Sequence, residues 1–401
     1  MTGLQGKKIL FCVTGSIAAF KAASWVHALV KEEALVTVIM TRAATKFVSE
    51  LTFEALTGNP VYVEMFGDSS QTSMAHISLS RDSDLLIIAP ATAHTLARLA
   101  NGLADDLLTT SVLAASGKPV VVCPAMNSNM YAHKATQDNL GRLKELGYSV
   151  VDPDAGRLAC GDEGPGRLPE WDTAREQILT CLCEHDLEGQ QVLVTAGPTR
   201  EILDPARFLS NRSSGKMGYA MARSARRRGA EVVLVAGPVS LEDPPGIEVI
   251  HVTSALEMYD EVIRRSADAL IIVKSAAVAD FRPAQIGIQK VKKQSAPDSL
   301  VLESNPDILA ELGRKRRVGQ LLVGFAAESQ NHEAEARRKL SEKKLDLVVV
   351  NDISGKNTGF EVDTNQVTLV DHQGALPLPL LSKEQTADRI WDHIVALLAN
   401  A

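Results

Sequence analysis

The chain has 401 residues, enough for two or three hydrophobic cores at about 150 residues per domain, which excludes a single small binding module. Hydrophobic residues make up 45% and charged residues 23%, ordinary globular usage that excludes disordered, collagen-like and coiled-coil chains. With 42 Lys and Arg against 49 Asp and Glu, the net charge of −7 argues against a general polyanion binder, and nucleic acid is not an expected partner. No run approaches the roughly 18 apolar residues of a membrane span, and Met1 to Lys8 lead directly into a strand-like run instead of a signal peptide, so a cytoplasmic protein with no membrane partner is expected. The five cysteines, Cys12, Cys123, Cys160, Cys181 and Cys183, form no CxxC pair and are read as reduced thiols. Cys181, Cys183 and His185 are not read as a metal site, because residues two apart do not share a helix face.

Lys7 to Thr14 is a continuous apolar run ending at Gly15, followed by a helical pattern from Ile17 to Lys31 and a second run from Leu35 to Met40, a βαβ unit. Runs apolar on both faces recur at Asp84 to Ala89, Pro119 to Cys123 and Tyr148 to Val151, which predicts a five-stranded, flavodoxin-like, doubly wound parallel sheet. Cys160 to Arg167 holds three glycines and a proline and reads as a loop, and Trp171 to Glu184 reads as a helix. A new strand signal after Gly189 opens a second Rossmann-like α/β domain, so the predicted domains are 1–188 and 189–401. Its strands are expected at Val192 to Ala196, Glu231 to Ala236, Glu248 to Val252, Ala269 to Val273, Leu321 to Phe325 and Leu347 to Asn351. Ala284 to Ser304, rich in Pro, Gln, Ser and Lys, reads as an exposed, mobile flap or interface arm.

Several residues carry a structural and a chemical reading at once. Gly15, Ser16 and Ile17 end the first strand and open its helix, which suits either a plain tight turn or a phosphate on free amides. Full GxGxxG spacing and an acidic ribose partner are both missing, so a mononucleotide suits the turn better than a dinucleotide. Thr41 and the Thr92 to Thr95 segment lie at neighbouring strand ends, where open α/β sheets bind ligands. His76 reads locally as a surface histidine, Asn127 as a helix cap and Cys160 as an inert thiol. Lys290, Lys292 and Lys293 read as a solvated charge run, and Lys339 and Lys343 as surface charge on one helix face. Asn211 to Gly218 is not a Walker loop, because Met217 stands where Ser or Thr would meet magnesium. No GxSxG turn supports a serine hydrolase.

Taken together, Gly15-Ser-Ile-Ala, His76, PAMNSNM at 124–130 and ACGDEGPGR at 159–167 resemble the flavin-containing cysteine decarboxylases. Downstream, AGPTRE at 196–201, NRSSGKMG at 211–218, AAVAD at 276–280, KVKK at 290–293 and GFAAE at 324–328 match the ligase attached to such a domain. The whole chain thus resembles the bacterial bifunctional family that joins a phosphopantothenoylcysteine decarboxylase to a phosphopantothenate-cysteine ligase in coenzyme A biosynthesis. The resemblance implies FMN as cofactor, oxidising the substrate's thiol so that carbon dioxide can leave. It implies His76 as the base or orienting group, Asn127 as the amide at the carboxylate and Cys160 as the proton donor. Gly15, Ser16, Ile17, Thr41, Thr92, Ala93, His94, Thr95 and Ala125 would contact the flavin. His94 stands where some relatives have Asn, and Tyr131 replaces the Trp that ends their motif.

For the second domain the resemblance implies three substrates, 4′-phosphopantothenate, cysteine and CTP, with an acyl-cytidylate intermediate. Asn211 would act on that intermediate, and Lys290 would serve catalysis and the phosphates. Lys274, Ser275, Ala276, Asp280, Pro306, Asp307, Ile308, Leu309, Phe325, Lys339 and Lys343 would surround the nucleotide, with Asp280 near Mg2+. Lys274 and Ser275 differ from the small residue and cysteine of some relatives. A homo-oligomer is also implied, a dodecamer built from decarboxylase trimers and ligase dimers. The competing reading is an FMN electron carrier fused to a nucleotide-binding regulatory domain, which needs neither a substrate base nor a clamp.

Overall fold

The computed structural model describes residues 3–66, 74–290, 299–328, 332–352 and 362–399. It divides into two compact units, Met1–Cys183 and Glu184–Ala401. The first runs β1 (Lys8–Val13), α1 (Ala19–Lys31), β2 (Leu35–Met40), α2 (Glu50–Thr57), β3 (Val61–Tyr62), α3 (Ala75–Asp82), β4 (Leu85–Ala91), α4 (Ala93–Ala100) and α5 (Leu107–Ala114). It continues through β5 (Val120–Pro124), α6 (Ser128–Ala132), α7 (Lys134–Glu145), β6 (Ser149–Val150), β7 (Asp154–Arg157), β8 (Glu163–Arg167) and α8 (Trp171–Leu182).

The first sheet is parallel, in the order β3-β2-β1-β4-β5-β6. Without the two-residue edge strand β3 it has the five strands and the order of a flavodoxin-like sheet. The strands are apolar on both faces because helices cover both. Ile9, Phe11 and Val13 pack with Ala22, Trp25, Val26 and Leu29 of α1, while Leu10 and Cys12 point to the opposite core with Leu86, Ile88 and Leu96. After β1 the chain winds to one side for β2 and returns on the other for β4, so the ends of β1 and β4 form a switch point.

The glycine-rich segment expected to be a loop is partly strand. β8 pairs antiparallel with β7 in a ribbon separate from the main sheet. Positive φ at Gly156, Gly164 and Gly166 lets so many glycines and Pro165 form a ladder that side-chain-bearing residues would not.

The second unit runs β9 (Gln191–Ala196), β10 (Arg200–Asp204), β11 (Arg207–Ser210), α9 (Lys216–Arg227), β12 (Glu231–Ala236), β13 (Glu248–His251), α10 (Ala255–Arg265), β14 (Ile271–Lys274), β15 (Phe281–Pro283) and β16 (Leu302–Ser304). It ends with α11 (Ile308–Lys315), β17 (Leu321–Glu328), α12 (His332–Glu342), β18 (Leu347–Asp352), β19 (Thr364–Asn365), β20 (Val367–Asp371), β21 (Ala375–Pro377), β22 (Leu381–Ser382) and α13 (Lys383–Ala399). Its sheet has the order β13-β12-β9-β14-β17-β18-β20-β21, with the first six strands parallel and the last two antiparallel. The six parallel strands are those expected from the sequence, in the Rossmann order. β20 and β21 extend the edge. α13 is fixed against α9 by Trp391, which is fully buried and donates from Nε1 to the Met221 carbonyl at 2.9 Å. The expected flap begins and ends in a short antiparallel ribbon, β15 with β16; Lys292 and Lys293 lie outside the described residues.

Candidate active sites

Three strand ends in the first unit are tied together by hydrogen bonds. Thr14 Oγ1 donates to the Pro90 carbonyl at 2.6 Å and accepts from the Thr92 amide at 3.1 Å, joining the ends of β1 and β4. The Thr41 amide donates to the Val13 carbonyl at 3.0 Å, joining β2 to β1. The turn between them holds Gly15, Ser16 and Ile17, and Ser16 Oγ accepts from the Ala18 amide at 3.3 Å. The first turn of α1 has no acidic residue and no side-chain cap, so nothing there offsets the attraction of the helix dipole for an anion. At α4, Thr92 caps Thr95, their hydroxyls lie 3.2 Å apart, Ala93 follows the cap, and His94 is exposed.

A cavity of about 410 Å³ opens beside this turn, lined among others by Ser16, Ile17, Phe20, Ala125, Asn127 and Cys160. Ile17 and Phe20 are 57% and 62% exposed, apolar surface that a flat aromatic ring system would cover. Hydroxyls and amides at the turn, with a threonine and no carboxylate at the end of β2, fit the phosphate and ring of a mononucleotide flavin.

Asn127 uses its amide twice. Oδ1 accepts from the Asn129 amide at 2.9 Å, the helix cap that local sequence suggests. Nδ2 donates to Cys160 Sγ at 3.3 Å and to Asp162 Oδ2 at 2.7 Å, and Cys160 Sγ lies 3.4 Å from the same carboxylate oxygen. The β7–β8 ribbon brings these groups together. The Met126 amide donates to the Gly166 carbonyl at 3.0 Å, and a Cβ on Gly166 would lie 2.1 Å from the Met126 carbonyl oxygen, so only glycine permits this docking. Asp162 is a member of the cluster that motif reading passed over, although it lies within the quoted segment.

His76 stands apart. It is half-buried in the first turn of α3 and does not line the Asn127–Cys160 cavity of its own chain.

In the second unit a cavity of about 290 Å³ gathers Asn211, Lys274, Ser275, Ala276, Asp280, Phe325 and Lys339 from the expected set. A Cβ on Gly218 would meet Ala196 Cβ at 2.5 Å and Ser275 Oγ at 2.6 Å, so glycine is what allows α9 to start against the ends of β9 and β14. Ser275 Oγ donates to the Thr195 carbonyl at 2.6 Å, and the Ala276 amide donates to Thr195 Oγ1 at 3.1 Å. Lys274 Nζ donates to the Ala276 carbonyl at 3.0 Å, and Asn211 Nδ2 to the carbonyls of Ala277 at 3.4 Å and Val278 at 3.0 Å. The lysine and the amide thus hang from successive carbonyls of one segment.

Burial holds the Lys274 ammonium down to about 8, with Lys343 and Lys339 adding to the effect and Asp307 and Asp280 opposing it. Asp307 caps α11 through the Ala310 amide at 3.0 Å and pairs with Lys343 at 2.8 Å. Burial pushes its carboxyl up, but the Lys343 and amide hydrogen bonds outweigh that and leave it low. Pro306 is half-buried and precedes this cap; Ile308 and Leu309 are buried in the core of the unit, which leaves their backbone and not their side chains to face a ligand. Lys290 is exposed and does not line the cavity. Lys216, which the 211–218 motif contains without a role of its own, lines it, as do Asn365 and Lys383, which the sequence did not single out. Among the described residues no three His, Cys, Asp or Glu side chains form a metal cluster, and no helix is long and apolar enough to cross a membrane.

Residues 2–183 match the Flavoprotein family, and residues 187–398 match the DNA/pantothenate metabolism flavoprotein C-terminal domain. The chain is 45% identical over 407 residues to the coenzyme A biosynthesis bifunctional protein CoaBC of Vibrio vulnificus, covering 100% of both chains. It is 45% identical over 403 residues to CoaBC of Bacillus subtilis, covering 98% of each. A crystal structure of the C-terminal domain of a CoaBC protein is 40% identical and covers 54% of this chain and 100% of that one, with a TM-score of 0.47. With both family domains in order and full-length identity of this degree, the chain belongs to the coenzyme A biosynthesis bifunctional CoaBC family.

Proposed function

We propose that the chain converts 4′-phosphopantothenate to 4′-phosphopantetheine in two stages, ligation to cysteine in the second unit and decarboxylation of the product in the first. The observation that carries this reading is the Asn127 amide held between Cys160 and Asp162 on a glycine ribbon beside a mononucleotide-type turn. A simple electron carrier has no use for that cluster.

In the ligation, the acid's carboxylate attacks the α-phosphorus of CTP and pyrophosphate leaves. Lys274, Lys339 and Lys343 stabilise the charge that develops on the phosphates, with Lys290 supplied from the flap. Asp280 is one carboxylate at the cavity, suited to Mg2+ held mostly by phosphate and water oxygens. The Asn211 amide donates to the acyl carbonyl while the amine of cysteine displaces CMP.

In the decarboxylation, the turn at Gly15 to Ile17 would hold the FMN phosphate, and Thr41, the Thr92–Thr95 pair and Ala125 would contact the flavin. When bound, FMN supplies an electron acceptor for the substrate thiol and gives the electrons back after carbon dioxide has left. Asn127 Nδ2 orients the departing carboxylate, and the Cys160 thiol delivers a proton to the enethiolate carbon. His76 orients the substrate's cysteine moiety from another protomer. Its absence from the lining of the Asn127–Cys160 cavity in its own chain supports a site shared between subunits, and the family resemblance is what supports decarboxylase trimers joined by ligase dimers into a dodecamer. Supplying 4′-phosphopantothenate, cysteine, CTP and Mg2+ to the purified protein should release pyrophosphate, CMP and carbon dioxide in equal amounts. Ligation without carbon dioxide would remove the decarboxylase assignment.

A further inference from the structure

The hydrogen-bonding capacity that Asn127 would offer a substrate is already engaged within the chain. Oδ1 accepts from the Asn129 amide at 2.9 Å, which fixes the end of the side chain that faces Cys160. Nδ2 spends its two hydrogens on Cys160 Sγ at 3.3 Å and on Asp162 Oδ2 at 2.7 Å. The reading above asks this same nitrogen to hold the substrate's carboxylate. It has no third hydrogen to give, and a second carboxylate beside that of Asp162 would be repelled.

Asp162 is placed to yield. Asn127 and Cys160 line the cavity, whereas Asp162 is exposed and does not. Its main chain is held by a closed turn, in which the Gly161 amide donates to the Leu158 carbonyl at 3.0 Å and the Leu158 amide to the Asp162 carbonyl at 2.8 Å. Gly161 makes that turn at φ +94°. The side chain can therefore rotate into water while the ribbon stays docked. A single oxygen serves both neighbours, since Asp162 Oδ2 accepts from Asn127 Nδ2 and, at 3.4 Å, from the Cys160 thiol. One rotation releases the amide and the thiol together.

We propose that Asp162 is a placeholder carboxylate, a positioning residue that occupies the Asn127 donor until the carboxylate of the substrate displaces it. The inference deepens the decarboxylase reading of this cavity and rests on it. Displacement makes the thiol of Cys160 free to turn to the substrate only when a carboxylate-bearing molecule is seated. Once carbon dioxide has left, the vacated amide hydrogen has Asp162 as its acceptor again, so the decarboxylated product leaves no polar group unpaired behind it. The substrate meets a competitor for its carboxylate in the ground state, and the product meets none.

The test is steady-state turnover of 4′-phosphopantothenoylcysteine by the full-length protein carrying Asp162→Ala, Asp162→Glu or no change, with 4′-phosphopantetheine as product inhibitor. Asp162→Ala should lower KM for the substrate about 5-fold with kcat unchanged or lowered, while the inhibition constant of the product stays within about 2-fold. Asp162→Glu keeps a carboxylate and should lie closer to the parent in KM than Asp162→Ala does. A raised or unchanged substrate KM in Asp162→Ala overturns the proposal. So does a change shared equally by substrate and product, because a residue that only latches the ribbon affects both ligands alike. Should Asp162→Ala fail to hold flavin, the isosteric Asp162→Asn decides. Its neutral oxygen competes less well than a carboxylate, so substrate KM should fall about 2-fold or more, and a KM that is unchanged or raised counts against the placeholder. Carbon dioxide release from 4′-phosphopantothenoylcysteine by the unaltered chain separates the two failures. If it is absent, the decarboxylase reading has failed; if it occurs while the Asp162 constants contradict expectation, only the placeholder has.

Discussion

Asn127 Nδ2 donates to Cys160 Sγ at 3.3 Å although 33 residues separate them, and that contact joins the turn after β5 to the tip of the β7–β8 ribbon. If Cys160 is the proton donor, Cys160→Ala should still bind flavin and release about one carbon dioxide per flavin, leaving the flavin reduced until dioxygen reoxidises it, while formation of 4′-phosphopantetheine falls about 100-fold or more. Mass spectrometry of the products should find an accumulating unreduced enethiol. Normal turnover would refute the role.

The same nitrogen lies 2.7 Å from Asp162 Oδ2, so Asn127→Asp would set two carboxylates against each other where a donor is needed. Carbon dioxide release should drop about 100-fold, and binding of the carboxylate-bearing substrate should weaken, measured by isotope release and by KM. Asp162→Asn removes the acceptor without adding like charge and should cost less than Asn127→Asp. Equal losses in the two variants would contradict this ordering.

Gly166→Ala tests the ribbon itself. With φ at +147° and the Met126 carbonyl 2.1 Å from the new Cβ, the ribbon must undock or deform. Decarboxylation should fall at least about 10-fold while pyrophosphate release by the second unit is unchanged, with a local stability cost of about 1–3 kcal/mol readable as earlier proteolysis of the ribbon. Parallel loss of both activities would point to global unfolding instead.

Much of the fold was legible because parallel strands buried on both faces leave uninterrupted apolar runs, and all six parallel strands of the second sheet were found this way. β3 escaped because Val61 and Tyr62 are too short a run to register, and β20 and β21 because an antiparallel edge hairpin lies outside the strand–helix alternation. The Cys160–Arg167 segment misled because Gly and Pro normally end strands, whereas here positive φ at alternate glycines makes the ladder. Asn127 and Cys160 were found by motif, but Asp162 was visible only through its contacts. Asn365 and Lys383 carry no local signature, so only folding reveals them as neighbours of one cavity with Lys216 of the 211–218 motif.

Lys274 gives a pH dependence with a definite sign. Its ammonium titrates near 8 in the fold against 10.5 ordinarily, so the unfolded chain binds more protons between those values and stability from this group rises with pH across that window. Below pH 8 the cost of burying the charge is fully present. Lys274→Met should therefore be more stable than the parent at pH 7, by about 1–2 kcal/mol, with the difference shrinking towards pH 10. CTP affinity should fall as pH rises through 8 in the parent and lose that limb in Lys274→Met, with KM for CTP raised about 10-fold at pH 7. Denaturant melts and a KM–pH series check both; a variant that keeps the pH 8 limb would exclude Lys274 as its source.

Removing and restoring the flavin tests the division of labour most directly. The protein stripped of flavin should release no carbon dioxide from 4′-phosphopantothenoylcysteine yet still produce pyrophosphate and CMP from CTP, 4′-phosphopantothenate and cysteine. Adding FMN should restore carbon dioxide release. Undiminished carbon dioxide release by the stripped protein would contradict the account.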